Sequence, residues 1–243
     1  MKLPFIVLTT ICTRTTNAFS PANPVHLTSS LRKLARFTSP TLNMSSTSSD
    51  IKKKVLVPIA EDSEEIETSC ITDVLTRFGA EVVVASVQPN GELVCKMSRG
   101  LKIQADITIE SAAKDEWDLI ALPGGMPGAN HLRNSSILVD LLKNQQKQKK
   151  LYGAVCASPA VVLQTLDLLD AGSTCYPAEG FRAKMEKPSD EKVVVQDNVI
   201  TSQGPGTSLL FALALGEQLV SGPSYFIYCF NCISGILKLH CHL

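Results

Sequence analysis

The residue best suited to covalent chemistry is Cys156, which directly follows the apolar run Leu151–Val155. A helix is predicted to begin almost at once, with Ser158 as its N-cap and Pro159 at its first position. A cysteine between a buried strand and a helix start lies close to free backbone N–H groups and to the positive end of the helix dipole, which stabilise a thiolate. The alternative interpretation is an inert cysteine, buried as a small apolar side chain.

A carboxyl group that could exchange a proton with this thiol is Glu67. Helical spacing places one carboxyl group and three apolar side chains on a common face: Glu67, Ile71, Val74 and Phe78. Because burial raises the pKa of a carboxyl group, Glu67 on this face could carry a proton and donate a hydrogen bond to a thiolate. Alternatively, Glu67 turns outward at the helix start beside Glu64 and Glu65.

Two consecutive glycines supply a third component. Gly124 and Gly125 follow the apolar run 117–122, and their backbone N–H groups could stabilise an oxyanion, although a Gly-Gly turn is more often an ordinary loop. Histidine is missing where a cysteine hydrolase would need it, because His131 is the single histidine between residues 51 and 220 and Ala157 follows Cys156. A carboxyl group is therefore the best available proton shuttle.

The elements that must position these residues alternate between strands and helices. Apolar and alternating patterns predict strands at 53–60, 81–87, 101–109, 117–122 and 151–155, with hairpins around 93–97 and 193–201. Helices are predicted from the N-cap Ser63 to Phe78, with Gly79 at C′, and at 136–148, 160–169 and 206–220. This order predicts an α/β fold, a flavodoxin-like three-layer sandwich whose mostly parallel sheet has helices on both faces and a strand-to-helix elbow at the nucleophile. The site should lie beyond the carboxyl ends of the strands.

Both ends of the chain differ in composition from the domain predicted at residues 51–220. Residues 1–50 combine a charged start, a short apolar run and a Ser/Thr-rich basic segment, which together resemble a bipartite presequence for a complex plastid, with cleavage before Phe19. The alternatives are a secretory signal followed by a linker, and a cytoplasmic form translated from Met44.

The segment 221–243 is apolar and aromatic, and it contains Cys229-x-x-Cys232 and His240-Cys241-His242. We interpret it as the altered end of a gene model. The alternatives are a membrane-associating tail and a metal site, although the ligand spacing differs from that of the common zinc fingers.

Charge and cysteine content exclude several classes of protein. The five bases of residues 1–49 leave 18 bases against 23 acids in the remainder, so a nucleic-acid-binding protein, which would carry a basic patch, is not expected. No apolar run reaches the roughly 18 residues of a membrane-spanning helix. Eight cysteines are scattered through a chain long enough to form its own core, which favours free thiols in a reducing compartment.

Four short motifs in register resemble the DJ-1/PfpI family, and its plant members in particular. The resemblance covers about 170 residues, and the motifs read Glu64-Glu65-Ile66-Glu67, Leu122-Pro123-Gly124-Gly125, Ala154-Val155-Cys156-Ala157-Ser158-Pro159 and Ser202-Gln203-Gly204-Pro205-Gly206-Thr207-Ser208. The resemblance implies that Cys156 is a redox-sensitive nucleophile, that Glu67 is its hydrogen-bonding acid, and that Gly125 and Ala157 supply oxyanion N–H groups. It also places four residues in the substrate pocket or close to a dimer contact: Arg99, Gly124, Tyr176 and Pro177.

The resemblance further implies a homodimer that converts methylglyoxal or glyoxal to a 2-hydroxy acid without glutathione, a metal or an organic cofactor, or that repairs early glycation adducts on proteins. The alternative is an oxidative-stress sensor or redox-regulated chaperone in which Cys156 is oxidised to a sulfinate. A peptidase is disfavoured because Ala157 stands where peptidase relatives carry histidine, and an amidotransferase because no His-x-Glu pair occurs late in the chain.

Two positions near the predicted site depart from the family pattern. Tyr176 stands where some animal members carry a histidine, so a phenol that could only form hydrogen bonds replaces an imidazole. Gln203 stands where some relatives carry an arginine, which weakens the recognition of anions at that position.

Overall fold

The computed structural model describes residues 52–220. The strands of this part are β1 Lys54–Ile59, β2 Glu81–Ser86, β3 Val94–Lys96, β4 Lys102–Gln104, β5 Ile107–Thr108, β6 Leu119–Leu122, β7 Leu151–Val155, β8 Val193–Gln196 and β9 Val199–Ser202. Its helices are α1 Glu65–Arg77, α2 Ile109–Ala112, α3 Gly128–Asn134, α4 Ser136–Gln148, α5 Glu179–Arg182 and α6 Ser208–Leu219.

Seven strands form one sheet in the order β5-β2-β1-β6-β7-β9-β8. All neighbouring strands run parallel except β8, which pairs with β9 in an antiparallel hairpin. The central strands β1, β6 and β7 are almost completely buried, as expected for parallel strands covered on both faces. A separate antiparallel hairpin joins β3 to β4.

Helices cover both faces of the sheet and form a three-layer sandwich. On one face α1 and α6 pack together, and Ile71 and Phe211 are fully buried there. On the other face lie α3 and α4, where Leu132 and Leu138 are fully buried. The predicted flavodoxin-like α/β fold is therefore confirmed.

The start of α1 differs from the prediction that Ser63 is its N-cap. Glu64 is the N-cap, and its side-chain Oε2 accepts a hydrogen bond from the backbone N–H of Glu67 at 2.8 Å. The hydroxyl of Ser63 instead accepts from the backbone N–H of Ala60 at 3.0 Å, so it serves the turn that leaves β1. The end of α1 agrees with the prediction, because Gly79 has a φ of +82°.

The predicted strand 101–109 is two short strands that belong to different sheets. Here β4 pairs with β3 and β5 pairs with β2. Asp106 lies between them, and its carboxylate accepts from the backbone N–H of Val84 at 2.8 Å. This side-chain hydrogen bond replaces a ladder bond and redirects the chain, which a pattern of alternating polarity does not reveal.

The predicted helix at 160–169 is also not a regular α-helix. Pro159–Leu163 is a wide turn of π-helix type, and Gln164–Leu166 is a single 3-10 turn. The hydroxyl of Thr165 donates to the carbonyl of Val161 at 2.8 Å, and Asp167 has a φ of +57°. A hydroxyl that bonds back to the preceding turn and a left-handed residue shortly after it both disfavour a continuous helix.

Several predictions concern residues outside the described range. They include the presequence at 1–50 with its alternative start at Met44, and the tail 221–243 with its cysteines and histidines. Within residues 52–220, no helix is long and apolar enough to cross a membrane.

Candidate active site

Cys156 lies at the end of β7 in a sharp turn between strand and helix. Its φ is +65°, a left-handed conformation that an L-residue with a Cβ atom rarely adopts. Two backbone hydrogen bonds hold it there: its N–H donates to the carbonyl of Ser202 at 3.0 Å, and its carbonyl accepts from the N–H of Tyr176 at 2.7 Å. Strain stabilised by the surrounding fold is common where a nucleophile must project from a sheet edge. The structure thus contains the predicted elbow.

Ser158 holds the elbow in a different way from the predicted helix cap. Its backbone has helical angles and its side chain makes no capping bond. The buried hydroxyl instead donates to the carbonyl of Pro123 at 2.6 Å, across 35 residues of sequence. This bond joins the elbow after β7 to the loop after β6, whereas Pro159 occupies the predicted first position of the turn.

Glu67 points into the protein towards Cys156, and its side chain is fully buried. One carboxyl oxygen, Oε2, accepts from the backbone N–H of Gly124 at 2.6 Å. The carboxyl group also forms a hydrogen bond with the Cys156 thiol. Among the described residues, Oε1 has no hydrogen-bond partner. The buried orientation is therefore the correct one of the two interpretations drawn from the sequence.

Burial raises the pKa of Glu67 to about 7. Hydrogen bonds from Gly124 and from Cys156 oppose this rise, and the nearby charge of Glu64 adds to it. A carboxyl group with a pKa near 7 is close to half protonated at neutral pH, so it can both donate and accept a proton under physiological conditions.

The pKa of the Cys156 thiol is also raised, first by burial and then by the charge of Glu67 and the hydrogen bond to it. Backbone N–H groups of Gly125 and Ala157 point at the sulfur and act in the opposite direction. The expectation that a helix start keeps this thiol anionic is therefore wrong, because burial, the largest cause, raises its pKa. The two groups interact closely and titrate as a pair.

The two N–H groups expected to hold an oxyanion are directed at the reacting sulfur. Gly125 has a φ of +90°, and a Cβ atom there would lie within 3 Å of the backbone between Asp62 and Glu64. Glycine is thus required at this position both by conformation and by space. Ala157 is almost completely buried beside it.

Gly124, predicted to lie in the pocket or near a dimer contact, is in direct contact with Glu67 and Cys156. Besides its hydrogen bond to Glu67, it packs so closely on the elbow that a Cβ atom would lie 2.6 Å from Cβ of Cys156. Its carbonyl accepts from the N–H of Glu64 at 3.1 Å. The absence of a side chain lets the loop after β6 touch both members of the pair.

A cavity lies at the turn after β9 and includes two of the predicted pocket residues, Tyr176 and Pro177. Its lining consists of Tyr176, Pro177, Gln203, Gly204, Pro205, Gly206 and Thr207. A Cβ atom on Gly204 would lie 3.3 Å from the ring of Tyr176 and 4.0 Å from Sγ of Cys156, so Gly204 separates the ring from the sulfur. Tyr176 is 41% exposed and its ring meets that of Phe181 edge to face, with centroids 5.8 Å apart.

Sequence reasoning did not assign a role to Gly204 or Thr207, although both belong to a motif that carried the resemblance. The hydroxyl of Thr207 bonds with the N–H of Gly204 at 3.0 Å and with the hydroxyl of Ser202 at 2.7 Å. These bonds fix the pocket turn at the end of β9. The sequence pattern that could have indicated this turn is a threonine three residues after a glycine, where the glycine follows a predicted strand.

Arg99 is not part of the Cys156–Glu67 pair. Its side chain is exposed, its backbone N–H donates to Oε1 of Glu65 at 2.8 Å, and its guanidinium group donates to the carbonyl of Ser98 at 3.3 Å. The predicted position near a pocket or dimer contact remains a prediction.

Three further cysteines of the described residues, Cys70, Cys95 and Cys175, are free thiols. Burial raises the pKa of each of them. In residues 52–220, no cluster of three or more side chains suited to binding a metal ion is found.

Comparison with known proteins agrees with this geometry. A model of the DJ-1/PfpI family matches residues 53–218. The Arabidopsis thaliana protein DJ-1 homolog B is 44% identical over 178 residues, which are 73% of this chain and 40% of that protein, so the chain spans less than half of this relative. The Caenorhabditis elegans protein named glutathione-independent glyoxalase DJR-1.2 is 38% identical over 175 residues, 70% of this chain and 88% of that protein.

Solved structures show the same similarity. Oxidized DJ-1 of Toxoplasma gondii has a TM-score of 0.68 and 43% identity, and the alignment covers 76% of this chain and 98% of that one. DJ-1beta of Drosophila melanogaster has a TM-score of 0.69 and 34% identity, with 77% and 98% covered. Together with the family match over residues 53–218, these alignments show that the chain belongs to the DJ-1/PfpI family.

Proposed function

We propose that this protein is a glutathione-independent glyoxalase, which converts methylglyoxal or glyoxal to a 2-hydroxy acid, and that the same chemistry can act on early adducts of these aldehydes with proteins. The observation that carries the proposal is the buried pair of Glu67 and Cys156, with two backbone N–H groups directed at the sulfur. The name of the Caenorhabditis elegans relative supports the same class of reaction.

The reaction begins in the form of the pair whose proton is on Glu67. The Cys156 thiolate attacks the aldehyde carbon, and the C=O bond opens to an oxyanion that lies where the N–H groups of Gly125 and Ala157 can stabilise it. Glu67 then gives its proton to this oxygen, which yields a neutral hemithioacetal and leaves Glu67 as a carboxylate.

The carboxylate of Glu67 next removes the hydrogen on the carbon bound to sulfur. The electron pair forms an enediolate, and its negative oxygen, on the neighbouring carbon, takes the proton of the hydroxyl on the first carbon. Glu67 then returns its proton to the neighbouring carbon, while the first carbon becomes the carbonyl of a thioester. Water then attacks the thioester and gives one proton to the Glu67 carboxylate, and the Cys156 thiolate leaves. The products are the 2-hydroxy acid and the starting form of the pair. A pKa of about 7 suits Glu67 to both proton transfers.

Purified protein mixed with methylglyoxal, without added thiol and in the presence of a chelator, tests this proposal through a lactate-specific readout. We expect Cys156→Ser and Glu67→Gln to lower the rate of lactate formation by at least about a hundredfold, the range of a lost nucleophile or general base. Cys70→Ser is the matched control, because Cys70 is a half-buried thiol on the same helix as Glu67. Lactate formation by Cys156→Ser at the rate of the wild type contradicts the mechanism.

A second candidate function is oxidative sensing by Cys156. Oε1 of Glu67 has no hydrogen-bond partner among the described residues, so a protonated Glu67 could donate to a sulfinate oxygen. Two successive peroxide molecules would each transfer one oxygen to the sulfur and leave one water. This function predicts a mass gain of two oxygen atoms at Cys156 with peroxide and negligible turnover of methylglyoxal, which separates it from the glyoxalase.

A further inference from the structure

The start of α1 carries a second buried carboxyl group that the proposed reaction does not use. Glu64 is only 6% exposed. We propose that Glu64 is a positioning residue for Glu67, which it holds against Cys156 through a closed ring of hydrogen bonds while placing a negative charge beside it. The inference deepens the proposed function and rests on it for its catalytic meaning.

The ring connects three residues, two from the start of α1 and one from the loop after β6. The N–H of Glu64 donates to the carbonyl of Gly124 at 3.1 Å, and the N–H of Gly124 donates to Oε2 of Glu67 at 2.6 Å. The N–H of Glu67 then donates to Oε2 of Glu64 at 2.8 Å and closes the ring. Both the backbone and the carboxyl group of Glu67 are thereby fixed, and each bond depends on the other two.

The hydroxyl of Thr68 strengthens the same corner. It donates to the carbonyl of Glu64 at 2.8 Å and is almost completely buried. Glu64 thus takes part through its N–H, its carbonyl and its carboxylate. The carbonyl and carboxylate bonds are those of any helix cap, whereas the bond from the N–H of Glu64 to Gly124 is not required for capping and joins α1 to the loop after β6.

The charge of Glu64 affects the proton of Glu67 directly. The titratable groups that face Glu67 are Glu64 on its own helix and Cys156 from the elbow, and Cys70 lies one turn further along α1. A like charge close to a carboxyl group favours its protonated form. Glu64 therefore favours the form of the pair in which Glu67 holds the proton and Cys156 is a thiolate.

The experiment compares the wild type with Glu64→Gln, which keeps an oxygen that can accept from the Glu67 N–H but removes the charge. The rate of Cys156 alkylation by iodoacetamide, followed by intact mass, is measured against pH. We expect its rising limb to move to lower pH by about one unit in Glu64→Gln, because the pair loses its first proton more easily, and its neutral-pH rate to fall several-fold. Lactate formation should follow the same shift.

The matched control is Glu65→Gln. Glu65 is the adjacent carboxylate, but it bonds with Ser98 and Arg99 rather than with Glu67, so its removal should leave the pH dependence of alkylation in place. Glu64→Ala removes both the acceptor and the charge, so the difference in thermal stability between Glu64→Ala and Glu64→Gln reports the capping bond.

An alkylation profile of Glu64→Gln that coincides with the wild-type profile overturns the proposal. A wild-type protein that forms no lactate contradicts the proposed function but leaves the alkylation result intact. The two failures can therefore be told apart.

Discussion

Replacing Glu67 with glutamine should change how the stability of the fold depends on pH. Glu67 is fully buried, and its burial raises its pKa from 4.5 to about 7. The unfolded chain releases this proton near the lower value, whereas the folded chain keeps it until the higher one. Between these values the folded state binds more protons than the unfolded state, so the free energy of unfolding falls as the pH rises.

The size of the effect follows from the interval between the two pKa values. At about 1.4 kcal/mol for each pH unit, the rise from 4.5 to about 7 corresponds to about 3 kcal/mol. Glutamine cannot ionise, yet its carbonyl oxygen can still accept from the N–H of Gly124. We therefore expect the wild type to lose about 3 kcal/mol relative to Glu67→Gln as the pH rises through this interval.

Urea unfolding of both proteins at several pH values measures the difference directly. The comparison is repeated in a Cys156→Ser background, so that titration of the thiol cannot produce the slope. Parallel stability curves for the wild type and Glu67→Gln would refute the reasoning, because they would mean that Glu67 titrates alike in the folded and unfolded chains.

Glu65→Gln is a control of opposite sign. Burial opposes the change at Glu65, but hydrogen bonds from its own backbone, Ser98, Arg99 and Leu101 together lower its pKa. A lowered pKa stabilises the fold above the unfolded value, and this contribution is lost as the pH falls. The variant should therefore be less stable than the wild type at neutral pH, with a difference that shrinks in acid.

Three further predictions concern the frame around the pair. Gly125→Ala should lower the free energy of unfolding by about 2 kcal/mol or more, because φ is +90° and a Cβ atom would collide with the neighbouring backbone. Urea unfolding that matches the wild type would contradict this. Ser158→Ala should lower the free energy of unfolding by about 1–3 kcal/mol and slow the alkylation of Cys156, because it leaves the buried carbonyl of Pro123 unpaired. Ser158→Thr, which keeps a hydroxyl, is the control. Tyr152→Phe should lower the free energy of unfolding by about 1 kcal/mol, because it removes the hydrogen bond to the Leu168 carbonyl, and it should leave the rate of lactate formation unchanged.

The sequence was sufficient for most of the sheet, for the elbow and for the placement of Cys156 and Glu67 on facing elements. Buried parallel strands read as continuous apolar runs, and Leu151–Val155 has the same bounds in the structure as in the prediction. Cys156 could be found because a strand ends there, and Glu67 because helical spacing put it on an apolar face. Both signals are local in the chain.

The features that the sequence did not reveal depend on contacts between distant segments. Glu64 rather than Ser63 caps α1, because the hydroxyl of Ser63 bonds with the backbone N–H of Ala60 in the turn after β1. The hydroxyl of Ser158 bonds to a carbonyl 35 residues away instead of to its own helix. The pKa of Cys156 depends on how deeply it is buried beside Glu67, which local propensity does not determine.

The two backbone bonds that hold Cys156 in its left-handed conformation come from later in the chain, at Tyr176 and Ser202. During synthesis on the ribosome, the cysteine therefore emerges well before the partners that shape it. Until β9 has joined the sheet, the carbonyl of Ser202 is not in place to hold residue 156. The left-handed elbow should therefore form late, in the same step that adds the last parallel strand to the sheet.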